Sequence, residues 1–275
     1  MAEDPQVLLD RACAAARGGA DLALRRRADG LGEIGTKSTD TDLVTAADRA
    51  VEALLADMLL TGRPNESLLG EEGGQTGMAR VRWIVDPIDG TVNYVYGLPC
   101  YAISVAAEVD GQVVAGVVLN AATGEQWSAV RGRGAWRDTP VAGERGAAPV
   151  RLAGSRATDL SQALVATGFG YDAKRRAHQA TALAGVLPRV RDIRRYGAAS
   201  LDLCFAAEGR VDAYFEKGLA PWDMAAGALV ATEAGLLVTG LRGTPPGAAM
   251  VLAAPPRLHA ALHDLLVEVD ADAGA

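Results

Sequence analysis

Two carboxylates three residues apart, Asp86 and Asp89, stand on either side of Pro87 and Ile88 and lead into Gly90 and Thr91. The apolar run Trp83-Ile84-Val85 before them reads as a short buried strand that ends at Pro87. Proline has no N–H and disfavours helix at the residue before it. In the turn that follows, both carboxylates and the Ile88 carbonyl can curl around a hard cation. Magnesium suits such a turn, because it takes oxygen ligands in octahedral array and keeps several waters. Gly90 lets the backbone approach a ligand, and if Thr91 opens a helical turn, the adjacent N–H groups form a seat for phosphate. The alternative is an Asp-Pro-x-Asp-Gly surface turn, since each of these residues is common in turns.

Other acids stand in equally unusual settings, each with a structural alternative. Glu71 and Glu72 lie between glycines in Gly70-Glu71-Glu72-Gly73-Gly74, where a solvated loop would also explain them. Asp223, after Pro221 and Trp222, opens a segment that is otherwise almost wholly apolar, a position where aspartate serves as a helix N-cap. Asp48 follows Thr45 by three residues and fits a capping box. Singly these signals are ambiguous; the combination is less so.

The elements that must position these acids can be read from periodicity. Residues 6–27 read as a helix with Leu8, Ala12, Ala15 and Ala16 on one face, weakened by Gly18 and Gly19. A polar stretch, 35–42, contains Lys37. Residues 44–60 form the clearest helix, with Val51, Leu54, Leu55, Met58 and Leu59 in one stripe. Strands are expected from residue 82. Segments 102–108 and 112–119 flank Asp110-Gly111, a strong hairpin signal, and 125–130 and 134–137 continue the antiparallel set. A small-residue stretch, 141–148, is the expected boundary between a unit at 1–148 and one at 149–275. Beyond it, strands (163–166, 191–195, 213–215) alternate with helices (175–187, 200–208, 223–233 and 256–267), an α/β pattern.

Composition narrows the class. The chain has 275 residues, 49% of them apolar, and a net charge of −7, which leaves no excess of Lys and Arg to neutralise nucleic-acid phosphates. Three dispersed cysteines, Cys13, Cys100 and Cys204, read as free thiols of a cytoplasmic protein. The acidic start, Met1-Ala2-Glu3-Asp4, is wrong for a secretory signal. The most apolar stretch, 98–119, is interrupted by Glu108 and Asp110, so no membrane span is expected.

Asp42-Leu43-Val44-Thr45-Ala46-Ala47-Asp48, Gly70-Glu71-Glu72, Asp86-Pro87-Ile88-Asp89-Gly90-Thr91 with Asn93, and Trp222-Asp223 with Glu233-Ala234-Gly235 closely resemble the inositol monophosphatase family, in the family's order. The resemblance extends through Gly197-Ala198-Ala199-Ser200 and Asp212-Ala213-Tyr214-Phe215-Glu216, and the actinobacterial members look most similar. It implies a layered αβαβα sandwich of the sugar-phosphatase type, with an α+β first half and an α/β second half. It also implies magnesium-dependent hydrolysis of inositol-1-phosphate, lithium sensitivity and a homodimer. One Mg2+ would be held by Glu71, Asp86 and the Ile88 carbonyl, a second by Asp86, Asp89 and Asp223, and a third, weaker ion would rest against Glu71 through water. Thr91, oriented by Asp48, would position the attacking water with help from Glu71, and the Gly90 and Thr91 amides would hold phosphate. Glu216, with Asp89 and the Ala199 amide, would bind the hydroxyls of a small phosphorylated polyol. Ala220-Pro221 before Trp222, where animal relatives carry His-Cys, and Tyr94 in place of the commoner Phe depart from the family pattern.

Other readings remain open. Gly168-Phe169-Gly170-Tyr171-Asp172-Ala173 follows a strand as G-x-G-x-x-A, with Asp192 about twenty residues on, the spacing of a dinucleotide-binding oxidoreductase. His259 and His263 have zinc spacing beside Asp264 but lack the glutamate of H-E-x-x-H. Arg131-Gly132-Arg133-Gly134 reads as a hairpin turn, and Arg25-Arg26-Arg27 and Arg194-Arg195 as solvated charge. Among phosphatases, Glu216 favours a neutral polyol over a second phosphate and would also suit the ammonium of histidinol phosphate.

Overall fold

The computed structural model describes residues 4–30, 34–36, 43–138 and 148–274. Lys37, Asp42 and nearly all of the expected boundary at 141–148 lie outside them. Helix α1 (Pro5–Ala28) begins at Asp4, whose carboxylate accepts the Gln6 N–H at 3.0 Å, and Pro5 occupies its first turn. Gly18 and Gly19 do not break it. A Cβ on Gly19 would meet Val51, Leu55 and Ile103 at 3.2–3.3 Å, so the glycines are where the next helix crosses closely.

Strands β1 (Ile34–Thr36) and β2 (Leu43–Thr45) pair just ahead of α2 (Ala46–Leu60). This helix therefore starts two residues later than expected. Its Val51, Leu55 and Leu59 are buried, whereas Met58 is 42% exposed. Strands β3 (Glu66–Gly70), β4 (Gly74–Thr76) and β5 (Val81–Asp89) come next, then α3 (Thr91–Tyr96). They are followed by β6 (Ala102–Val109), β7 (Gln112–Asn120), β8 (Gln126–Val130), β9 (Gly134–Asp138) and β10 (Val150–Arg151). These strands form an eight-stranded sheet in the order β10-β9-β8-β7-β6-β5-β3-β4, antiparallel except for β3 beside β5. The Asp110-Gly111 hairpin has φ of 51° and 79° at its two turn residues, the left-handed pair that a two-residue turn requires. Strands β3 and β4 lie before residue 82, where the sequence pattern first signals strands.

The remaining elements are β11 (Leu164–Thr167), α4 (Ala173–Val186), β12 (Asp192–Arg194), α5 (Ala199–Glu208), β13 (Ala213–Glu216), α6 (Pro221–Glu233), β14 (Leu237–Thr239), β15 (Val251–Ala254) and α7 (Pro256–Glu268). Their sheet runs β12-β11-β13-β15-β14, the first three strands parallel and β15 antiparallel to both of its neighbours. Strands β14 and β15 are absent from the sequence expectation, since their apolar runs are only three and four residues long and show no alternation.

The layers follow from where apolar side chains go. Along β5, Trp83 and Val85 enter one core with α1 and α2, whereas Ile84 enters another with α5 and α6. On β6, Ile103 and Val105 face α1 and α2, and Ala102 and Ala106 face the opposite core. A strand buried on both faces reads as a continuous apolar run, as these do. Helices α5 and α6 bury apolar residues on more than one face because they lie between the two sheets. A third core joins the far side of the small sheet to α4 and α7. The order is α, β, α, β, α.

One irregularity in β5 positions the chemistry. Asp86 lies opposite Ser104 and Asp89 opposite Ala102, so three steps on β5 match two on β6, the mark of a β-bulge. Residues three apart on a regular strand point to opposite faces. The extra residue restores the phase, and Asp86 and Asp89 emerge on the same side. The strand thus does not end at Pro87; it bends there and continues.

Two outcomes test this packing. A Cβ on Gly227 of α6 would stand 2.9 Å from Leu203 Cβ and 3.0 Å from the Ser200 carbonyl on α5. Gly227→Ala should lower stability in urea titrations by about 1–3 kcal/mol from overpacking, outweighing the roughly 1 kcal/mol helix-propensity gain. Glu66, under Trp83, accepts both Arg11 amino groups at 3.1 and 2.9 Å and the Trp83 indole N–H at 2.7 Å. Burial pushes its carboxyl up, but those bonds outweigh it and hold it below the usual glutamate value of 4.5. A depressed folded value means stability that is present above the unfolded value and lost as pH falls through the folded one. The stability gap between wild type and Glu66→Gln should be widest above pH 4.5 and should close on acidification.

Candidate active site

One cleft of about 520 Å3 opens where the two sheets approach. Glu71, Asp86, Ile88, Asp89, Gly90 and Thr91 line one side of it. Ala199, Glu216 and Asp223 line the other, so nine of the ten residues singled out from sequence border the same space. The tenth, Asp48, lies directly behind Thr91.

Each side chain is held by a specific local device. Asp48 closes the capping box of α2: its Oδ2 accepts the Thr45 N–H at 2.8 Å and the Thr45 hydroxyl at 2.6 Å. Its Oδ1 accepts the Thr91 hydroxyl at 3.0 Å. The capping bonds and the bond to Thr91 are therefore made by one carboxylate. The Thr91 oxygen also lies 3.1 Å from the Ile88 carbonyl. Asp86, 2% exposed, accepts the Ile88 N–H at 3.0 Å on Oδ1, which tightens the bulge.

Gly90 caps α3 in the left-handed region, φ 90°, and a Cβ there would stand 3.0 Å from the Cys100 carbonyl. Only glycine satisfies both conditions. Helix α3 does start at Thr91.

Asp89 reaches across to the second sheet's helices. Its Oδ2 accepts the Ser200 N–H at 2.7 Å and the Ser200 hydroxyl, with the Ala199 amide also directed at it, at the start of α5. Burial raises its pKa, and the Ser200 bonds oppose that rise. Asp223 is the third residue of α6, not its N-cap; its Oδ2 reaches back to the Ala220 N–H at 2.7 Å. Its pKa is well above the ordinary value, through burial and then the charge of Asp89. Glu216 accepts the Tyr214 hydroxyl at 2.8 Å, and burial lifts its pKa to about 7.

The donor set fits a hard divalent cation. The carboxylates of Glu71, Asp86, Asp89 and Asp223 line the same cleft with Ile88, an all-oxygen donor set, and a cation would offset the burial that raises Asp89 and the burial and like charge that raise Asp223. Among the described residues no three acids, histidines or cysteines already stand in a closed ligand arrangement. Oxygens of Asp86, Asp89 and Asp223 are instead turned to the N–H groups of Ile88, Ser200 and Ala220.

Several cleft residues escape sequence reasoning. Arg194 pairs with Asp192 at 2.6 Å as surface charge, but Arg195 lines the cleft, where its charge opposes the burial of Glu216 and Asp89. Its position two residues before Gly197-Ala198-Ala199-Ser200 was the available signal. Arg175 and Lys217 also line the wall. Asp202 is fully buried behind it, raised well above the ordinary value by burial and then by Glu216.

The competing motifs are absorbed differently. β11, α4 and β12 form a true parallel βαβ unit, yet a Cβ on Gly168 would fall within 1.9–2.2 Å of the Glu216 carboxyl atoms. That glycine makes room for an acid. His259 lies 2.9 Å from the Thr239 hydroxyl, and His263 accepts the Arg242 N–H at 3.1 Å, so both rings have structural partners. Arg131 to Gly134 is the β8–β9 turn, whose Gly132 and Gly134 amides bond Glu233. Arg27, at the end of α1, sits over the Tyr94 ring at 5.8 Å, while the Tyr94 hydroxyl donates to the Ala23 carbonyl at 2.8 Å. The three cysteines are free, and no described helix is long and apolar enough to cross a membrane.

The layered αβαβα sandwich, with an acidic cleft where its two sheets approach, is the architecture of the sugar-phosphatase class. The profile of the inositol monophosphatase family matches residues 4–271, and the chain belongs to that family. It is 49% identical over 243 residues to the inositol-1-monophosphatase of Mycobacterium leprae, covering 86% of this chain and 81% of that protein. Mycobacterium tuberculosis SuhB superposes with a TM-score of 0.82 at 39% identity, over 99% of this chain and 100% of that one. SaIMPase-II, solved with inositol monophosphate bound, superposes at 0.78 with 25% identity, over 96% of each chain.

Gly90→Ala should disturb the cleft more than its size suggests, since the substitution is strained in φ and crowded by backbone. Circular dichroism melts are expected to show a loss of about 1–3 kcal/mol; an unchanged melt would contradict the geometry.

Proposed function

We propose that the chain hydrolyses inositol-1-phosphate to inositol and phosphate, with Mg2+ held by Glu71, Asp86, the Ile88 carbonyl, Asp89 and Asp223. The observation that carries this reading is the convergence of those five oxygen donors with Thr91 on one cleft that Glu216 closes from the opposite side. Bound there, two or three magnesium ions would supply the positive charge that acidifies a water and steadies the departing alcohol oxygen.

The rest of the chemistry belongs to the chain. With its proton directed to Asp48 Oδ1, the Thr91 oxygen presents a lone pair that accepts a hydrogen bond from the attacking water. Glu71, at the cleft edge, assists in taking up the water's proton. Water oxygen bonds to phosphorus as the phosphorus–inositol oxygen bond breaks, and the departing oxygen takes a proton from solvent water to leave as the inositol hydroxyl. The Gly90 and Thr91 amides, at the start of α3, hold the phosphate oxygens. Glu216, set on its Gly168 shelf, accepts inositol hydroxyls, with Asp89 and the Ala199 amide beside it.

The chain is read as two units, residues 1–148 bearing most of the ligands and 149–275 bearing Asp223 and the polyol wall. It is read further as a lithium-sensitive cytoplasmic homodimer. The mycobacterial relatives named inositol-1-monophosphatase, and the neighbour solved with inositol monophosphate bound, support the choice of substrate.

The test is phosphate release from inositol-1-phosphate, with histidinol phosphate as the competing substrate. Activity should require Mg2+ and favour inositol-1-phosphate in kcat/KM, and Asp89→Asn should lower kcat by more than about a hundredfold. A wild-type protein that releases no phosphate from either ester in magnesium overturns the reading.

A further inference from the structure

Glu52 lies four residues after Asp48 on α2, one helical turn along, and is 7% exposed. Its carboxylate enters the turn between β3 and β4. Oε2 accepts the Glu72 N–H at 2.8 Å, and Oε1 accepts the Gly73 N–H at 2.6 Å. Amide bonds to an ionised carboxylate are short and about twice as strong as neutral ones. They grip the two residues that follow Glu71.

The flanking glycines fit this clamp. Neither Gly70 nor Gly73 has a positive φ, so backbone conformation does not explain them. Space does: a Cβ on Gly70 would stand 2.5 Å from the Glu52 carboxyl carbon and Oε2, and one on Gly73 would stand 2.9 Å from Oε1. The Gly-Glu-Glu-Gly segment is a turn docked onto an acid from another element, not a solvated loop.

We propose that Glu52 is a positioning residue, which clamps the β3–β4 turn by its amides and so fixes the Glu71 carboxylate against the cleft. Helix α2 then acts as a ruler. Asp48 holds Thr91 on one side of the site, and Glu52, one turn on, holds Glu71 on the other. The inference rests on the reading of Glu71 as a magnesium ligand. It predicts that the two ends of the site keep their spacing through one rigid helix.

Glu52→Gln keeps the shape but sets an NH2 group against an N–H, so one clamp bond is lost. Three measurements are made on the intact protein: amide hydrogen exchange of Glu72 and Gly73 without magnesium, Mg2+ affinity by calorimetry, and phosphate release against magnesium concentration. Exchange at both amides should accelerate, the magnesium Kd should rise roughly tenfold to a hundredfold, and activity should recover as magnesium is raised. Gly70→Ala displaces the carboxylate without removing it and should shift the Kd in the same direction, which decides the matter if Glu52→Gln does not fold. A folded variant with a lower Tm but a Kd within about twofold of wild type would mean packing alone and would overturn the assignment. Unchanged exchange at Glu72 and Gly73 would sink the clamp itself. Failure of the wild-type protein to bind magnesium would instead sink the ligand reading beneath it.

Discussion

One extra residue in β5 sets the site. Without the bulge, Asp86 and Asp89 would point into different layers, one toward α1 and α2 and the other toward α5 and α6. With it, both face the gap between the sheets, and Asp89 reaches Ser200 at the head of α5. The bulge also sends the chain out through Gly90 into α3, so that Thr91 turns back onto Asp48. Pro87 suits this place because a bulged residue needs no ladder N–H.

The carboxylates are kept close by bonds made to the backbone. Asp86 holds the Ile88 amide, Asp89 the Ser200 amide and Asp223 the Ala220 amide. Each such bond fixes one oxygen and thereby the direction of the carboxyl group. The arrangement is electrostatically costly, as the raised Asp89 and Asp223 indicate, and a rigid surround is needed to maintain it. The surround is the helix layer between the sheets, where Gly227 lets α5 and α6 approach closely.

Much of this was legible in the sequence. Helix α2 and its capping box, the Asp110-Gly111 hairpin and the apolar runs of β5 to β7 follow from local chemistry and periodicity. The acidic set was legible only as a combination, because Asp48, Asp86, Asp89 and Asp223 each also hold a backbone N–H. What escaped notice depended on contacts distant in sequence. Arg195 looks like half of a surface pair until the fold brings it to Glu216. The Gly168 fingerprint looks like a nucleotide loop until the Glu216 carboxyl occupies the space above it. Strands β14 and β15 are too short to declare themselves, and they form because β13 offers a partner.

The sandwiched helix layer also has a consequence for how the chain matures. The sheet face bearing Ile84, Ala106, Val118 and Trp127 is built from residues 81–138, but the helices that cover it, α5 and α6, span 199–233. During synthesis at about 5–20 residues per second, that face emerges several seconds before its cover. In that interval it is an open apolar surface, attractive to chaperones and to other nascent chains. Asp223 arrives on the helix that seals it, so the last acid of the cleft and the burial of the central core are supplied in the same step.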